Sequence, residues 1–167
     1  LPGLLAGCGD EASPPGRTKE DLARMAFEAL RTDDWSRLAD AAPTAEDLLY
    51  LVGKVRRVSE EQAKASEAVL ERAGGAEKVA AEGRARLERS FREARTPATA
   101  GLDWATAVRS GGIDDRQASQ EAPGLGARDV YFSVRSGERE ELFVLAGCAE
   151  TARGWISLGG LRHVRSP

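Results

Sequence analysis

Cysteine is scarce in this 167-residue chain: there are two, Cys8 and Cys148. At most one intrachain disulfide can form, which excludes a disulfide-stapled scaffold. His163 is the only histidine, so clusters of His and Cys at metal-ligand spacing are excluded as well. Aromatic residues make up 5% of the chain. No basic patch with interleaved aromatics occurs, and nucleic acid is not expected as a partner. No apolar run reaches the ~18 residues of a membrane-spanning helix. A glycine-rich phosphate loop and a serine nucleophile motif are also missing, so the sequence points to no cofactor and no catalytic constellation.

What remains is a charged, mildly acidic chain. Its 24 Lys and Arg stand against 27 Asp and Glu, for a formal net charge of −3. Arginine far outnumbers lysine but is scattered along the chain, which reads as a compositional bias rather than an anion site. The length suits one domain with a tail and a sizeable core.

Near the start stands Leu5-Ala6-Gly7-Cys8, preceded by an apolar stub and followed by Gly9-Asp10-Glu11-Ala12-Ser13-Pro14-Pro15-Gly16. The later segment is too polar to bury and reads as a tether. The tetrapeptide and its flanks resemble the lipobox of bacterial lipoproteins. That resemblance implies a diacylglyceryl thioether on Cys8, cleavage before it and acylation of the freed amine. It also implies a lipid-anchored place in the cell envelope, outside the cytoplasm. Two acyl chains suffice for stable attachment. The implied division is 1–7 as signal-peptide remnant, 8–17 as lipidated tether and 18–167 as a single α+β domain. The same four residues recur at Leu145-Ala146-Gly147-Cys148, inside a strand-like run where they cannot act as a lipobox. Lipidation of Cys8 would leave Cys148 a lone thiol, best placed in a core.

From Thr18 the pattern is helical. Leu22, Met25, Ala26, Ala29 and Leu30 recur on one face, with Thr18 as cap and acids in the first turn. Asp33-Asp34 breaks this run before a short helix carrying Trp35, Leu38 and Ala39. Thr44 with Asp47 opens a helix bearing Leu48, Leu49, Leu51, Val52 and Val55. Ser59 with Gln62 caps the next, and Gly74-Gly75 ends it. A charged, Ala-rich helix then runs to about Arg95. From 111 to 126 the chain has no clear period and reads as loop around one weak strand. Val130, Phe132 and Val134 alternate with polar residues. Leu142–Cys148 and Trp155–Leu158 complete a three-stranded antiparallel meander that Leu161–Val164 extends.

The expected fold is therefore α+β, with N-terminal helices packed on a C-terminal antiparallel β-meander. Ala29-Leu30-Arg31-Thr32-Asp33-Asp34-Trp35 and Gly154-Trp155-Ile156-Ser157-Leu158 resemble the opening and the late strand of NTF2-like (cystatin-like cone) domains. This resemblance implies a curved sheet enclosing a pocket. Enzymes of that family carry acids, histidine or tyrosine inside the cone, and the matching positions are Asp129, Tyr131 and His163. Trp35, Trp104 and Trp155 could wall the pocket or anchor the core. The expected function is a non-enzymatic, membrane-anchored lipoprotein whose domain binds a protein or small molecule. Its alternative is a pocket between sheet and helices, binding or catalytic. A third possibility is self-association through an exposed strand edge.

Overall fold

The computed structural model describes residues 16–96, 101–118 and 125–164. The lipobox, Cys8 and the boundaries expected at 7 and 8 lie outside the described residues.

Two reciprocal capping boxes start the main N-terminal helices. In α1 (Lys19–Thr32), the Thr18 side chain accepts from the Asp21 N–H, and the Asp21 carboxylate accepts from the Thr18 N–H. These bonds hold the Asp21 carboxyl down at about 2. Asp33, at φ 55°, ends the helix in the left-handed region that Asp tolerates better than most residues. A single turn, α2 (Ser36–Ala39), leads to α3 (Ala45–Val58), where Thr44 and Asp47 repeat the box. Ser59 is extended and serves two helices. Its N–H donates to Val55 O of α3, and its Oγ accepts from Gln62 N of α4 (Glu60–Arg72). One residue thus folds α4 back beside α3. Gly74 and Gly75, both at positive φ, then turn the chain into α5 (Ala76–Ala94), with Gly75 N–H donating to Leu70 O.

Four strands follow, β1 (Val108–Gln117), β2 (Arg128–Ser136), β3 (Arg139–Thr151) and β4 (Gly154–Val164), in sequential antiparallel order. The register aligns Phe132, Phe143 and His163 in one row and Tyr131, Val144 and Arg162 in the next. Neighbouring rows face opposite sides of a sheet. The inner face carries Val130, Phe132, Val134, Phe143, Leu145 and Leu161. It is filled by Leu22 and Leu30 of α1 and by Leu87 and Phe91 of α5. Gly83 lets α5 come close to the α2–α3 link, since a Cβ there would lie 2.7 Å from Pro43 Cγ.

Two expectations are corrected. The sheet is not a cone: it is open, with β1 and β4 as its outer strands and only the start of β4 bridged further, to Arg17, among the described residues. The space a cone would keep hollow is occupied by interlocked leucine and phenylalanine side chains. The meander also has four strands rather than three. The additional β1 lies in the stretch expected to be mostly loop, and its register slips between Ser110 and Asp114. It is fastened by charge instead of a continuous apolar face: Asp115 pairs with Lys19 and Arg128, and Arg109 with Glu20.

Candidate functional site

The residues implied by the cone do not form a site. Asp129 and Tyr131 lie on the face of β2 turned away from the main core. Asp129 is nearly buried because its Oδ1 accepts from the Gly147 N–H at 2.7 Å. Gly147, at φ 58°, is the bulge of β3, and the carboxylate satisfies the N–H that the bulge takes out of the ladder. Tyr131 is half-buried under the Arg116 guanidinium, 4.6 Å from the ring centroid. His163 lies on the opposite face, tilted against Phe143 and 2.7 Å from Glu141. Burial pushes the Glu141 carboxyl up, but His163 and Arg139 outweigh it and the net direction is down. These contacts account for all three side chains structurally.

The other sequence candidates are equally occupied. Cys148 is fully buried in the core, and desolvation, reinforced by Asp129, pushes its thiol up to about 12. It is therefore protonated at neutral pH and not a nucleophile. Trp35 packs on Phe91 and Trp104 on Phe143, with ring centroids 6.0 and 6.2 Å apart. Trp155 borders the same core. A cation covers each indole: Arg84 on Trp35, Arg95 on Trp104 and Lys19 on Trp155. The three tryptophans seal the rim of the core.

A cavity does exist, in a different place. Between α3 and α4 lies a cleft of about 330 Å³ whose walls include Leu48, Leu51, Val52, Val55, Val69 and Leu70. That volume is at the lower end of the range for small-molecule sites. Its floor is a small second cluster, Val52, Val55 and Ala63, with Leu70 and Leu125 partly buried beside it. The cleft stays open because α4 contributes only Ala63 to the buried interior, while Val69 on its wall remains 56% exposed. One polar clamp spans the two helices, and a second contact ties α3 to the sheet. Arg56 of α3 pairs with Glu60 and Glu67 of α4, and Lys54 donates to Glu150 O at the end of β3.

The floor helix is anchored by a group the sequence did not single out. Arg153, in the β3–β4 turn, donates to both oxygens of Asp47 and to the carbonyls of Asp40 and Ala42. Burial pushes the Asp47 carboxyl up, yet the bonds from Arg153 and Thr44 outweigh it and hold the group below its ordinary value. Asp47 is legible in the sequence as a cap. Its partner 106 residues away is not. The cleft itself had a faint signal: the α4 stripe around Val69 and Leu70 is too narrow to seat that helix fully.

No family model matches the chain, and no curated protein and no solved structure is similar to it. The resemblances to bacterial lipoproteins and to NTF2-like domains are corrected accordingly, and the envelope-lipoprotein function and the cone pocket expected from them fall with them. Neither family is found, and the open sheet removes the cavity that the second one implied. Among the described residues no helix is long and apolar enough to cross a membrane, and no group of His, Cys, Asp or Glu is arranged to hold a metal ion.

Proposed function

We propose that this protein binds a small apolar or amphipathic molecule in the α3–α4 cleft, without catalysing a reaction on it. The observation that carries the reading is the lined volume itself. Among the described residues, leucine and valine walls of about 330 Å³ are left uncovered beside the larger core packed on the sheet. Burying apolar ligand surface there yields about 25 cal/mol per Å² before association costs. The one polar side chain on the wall among the described residues, Ser66, donates to Gln62 O at 2.9 Å. The walls therefore select for shape and hydrophobicity and offer no nucleophile.

The test uses N-phenylnaphthylamine, a neutral dye that brightens in apolar surroundings. Saturable binding at micromolar dye is expected for the native chain, abolished by Val69→Asp on the cleft wall. Val108→Asp, at an equally exposed apolar position on β1, serves as control and should bind as the native chain does. No saturable binding to the native chain, or equal binding by Val69→Asp, overturns the reading.

A further inference from the structure

The apolar cleft continues into a second basin of different chemistry. Leu125 and Leu158 line both. Beyond them lies a space of about 520 Å³, bordered by Arg86 of α5, by Asp129, Gly147 and Gly159 at the β3–β4 bulge, and by Arg162 of β4. The bulge makes this space. Gly147 and Gly159 present backbone without side chains, and a Cβ on Gly159 would lie 2.8 Å from Ala146 O. We propose that the ligand is an amphiphile with a singly charged anionic head of the fatty-carboxylate class. The alkyl chain lies between α3 and α4, and the carboxylate sits between Arg86 and Arg162. This rests on the cleft being a binding site and adds the chemistry of the head group.

Three observations support the assignment. Arg162 is exposed and its side chain has no hydrogen bond or ion pair among the described residues, so its fork of donors is uncommitted there. Glu93 borders the smaller cavity on the other side of Arg162 but forms no ion pair with it. Arg86 donates one N–H to Leu158 O at 3.3 Å, which fixes the guanidinium at the junction and leaves its other donors available. Asp129 is the one carboxylate in the basin, and its Oδ1 is already engaged by Gly147. Two guanidinium groups against one carboxylate leave a single positive charge to be matched. A monoanion matches it, whereas a dianion is disfavoured by Asp129, and paired guanidinium groups suit the planar carboxylate geometry.

Titration with dodecanoate, dodecanol and dodecylammonium, each displacing N-phenylnaphthylamine, tests the proposal. Dodecanoate is expected to bind about tenfold more tightly than dodecanol, the combined effect of two partly exposed charge contacts. That advantage should shrink as salt is added. In Arg86→Gln/Arg162→Gln it should disappear, with dye and dodecanol affinity unchanged. Arg162→Gln alone removes a side chain with no hydrogen bond or ion pair among the described residues and should lose part of the advantage. Equal affinity for dodecanoate and dodecanol, an undiminished preference in the double variant, or tighter binding of dodecylammonium overturns the head-group assignment while the cleft reading stands. Failure of the dye and dodecanol to bind the native chain overturns the cleft reading itself.

Discussion

The two helical layers of this protein treat apolar surface in opposite ways. Against the inner face of the sheet, α1 and α5 bury Leu22, Leu30, Leu87 and Phe91 almost completely, in one cluster with Phe132 and Phe143. Between α3 and α4 the apolar residues are just as abundant, yet Leu48, Val69 and Leu70 are not buried, and the buried ones are Leu51, Val52, Val55 and Ala63. The difference lies in what faces each helix. The sheet offers large rings and branched chains, whereas α4 lines the cleft with Ala65 and Ser66 beside Val69 and Leu70. Leu51, Val52 and Val55 of α3 opposite Ala65 and Ser66 of α4, with Arg56 bridging the two helices, leave a space rather than collapsing into it.

The largest expected effect tests whether the layers differ energetically. Phe143→Ala, at the centre of the sheet-side core, should cost about 3–5 kcal/mol, from lost burial plus the cavity left behind. Val55→Ala, in the smaller cluster, should cost about 1–2 kcal/mol, close to the transfer value of the carbons removed. Urea denaturation of both variants measures this. Equal losses would mean that the two clusters form one core and that the contrast drawn above is wrong.

Next in size is the clamp between the layers. Arg153→Met leaves buried Asp47 without its guanidinium and takes a donor from the Asp40 and Ala42 carbonyls, the first of which keeps Arg17, at a cost of about 2–3 kcal/mol at neutral pH. The pH dependence has a definite sign. The Asp47 carboxyl is lowered in the folded protein, so its contribution is fully present above the unfolded value of about 3.9 and is lost as pH falls through the folded value. The gap in melting temperature between native and Arg153→Met proteins should therefore be widest near pH 7 and narrow below pH 4. A gap that does not change with pH would show that Arg153 acts through the Asp40 and Ala42 carbonyls alone.

How far the sequence reached follows the same division. Caps at Thr18, Thr44 and Ser59, the stop at Gly74-Gly75 and the alternation of Val130, Phe132 and Val134 are local signals, and each marks an element in the structure. β1 escaped because Val108–Gln117 holds two glycines, a serine and four charges, and earns its place through Lys19, Glu20 and Arg128 instead of alternation. The curvature of the sheet was not legible either. Asp-Trp and Gly-Trp dipeptides suggest a cone, but closure depends on how far the helices press into the sheet, which no short motif records. The site was missed for a related reason. A cleft is set by the small residues opposite a helix, and Ala65 and Ser66 look in sequence like ordinary solvent-facing positions.

A smaller effect should be visible without any mutation. With one buried residue, α4 is held mainly by α3 and by exposed ion pairs, which contribute little each. Its amides should exchange through local opening, well before those of α5 around Leu87 and Phe91, which require global unfolding. Hydrogen exchange by mass spectrometry resolves the two helices. A saturating amphiphile should slow α4 and leave α5 unchanged. Simultaneous exchange of both helices would merge the two layers into one cooperative unit.

The smallest change in stability accompanies the sharpest functional distinction. Ser66 projects a short hydroxyl into the cleft and returns its proton to Gln62 O. Ser66→Leu puts a branched apolar side chain into that space and removes a side-chain bond that competes weakly with the helix backbone. Folding stability should stay within about 1 kcal/mol of the native value, with a gain more natural than a loss because apolar area is covered. Dye affinity should fall at least tenfold, since the volume is now occupied. If the cleft were only a packing defect, filling it would cost no binding. Stability preserved with binding lost would instead show apolar surface that the fold leaves uncovered for a ligand.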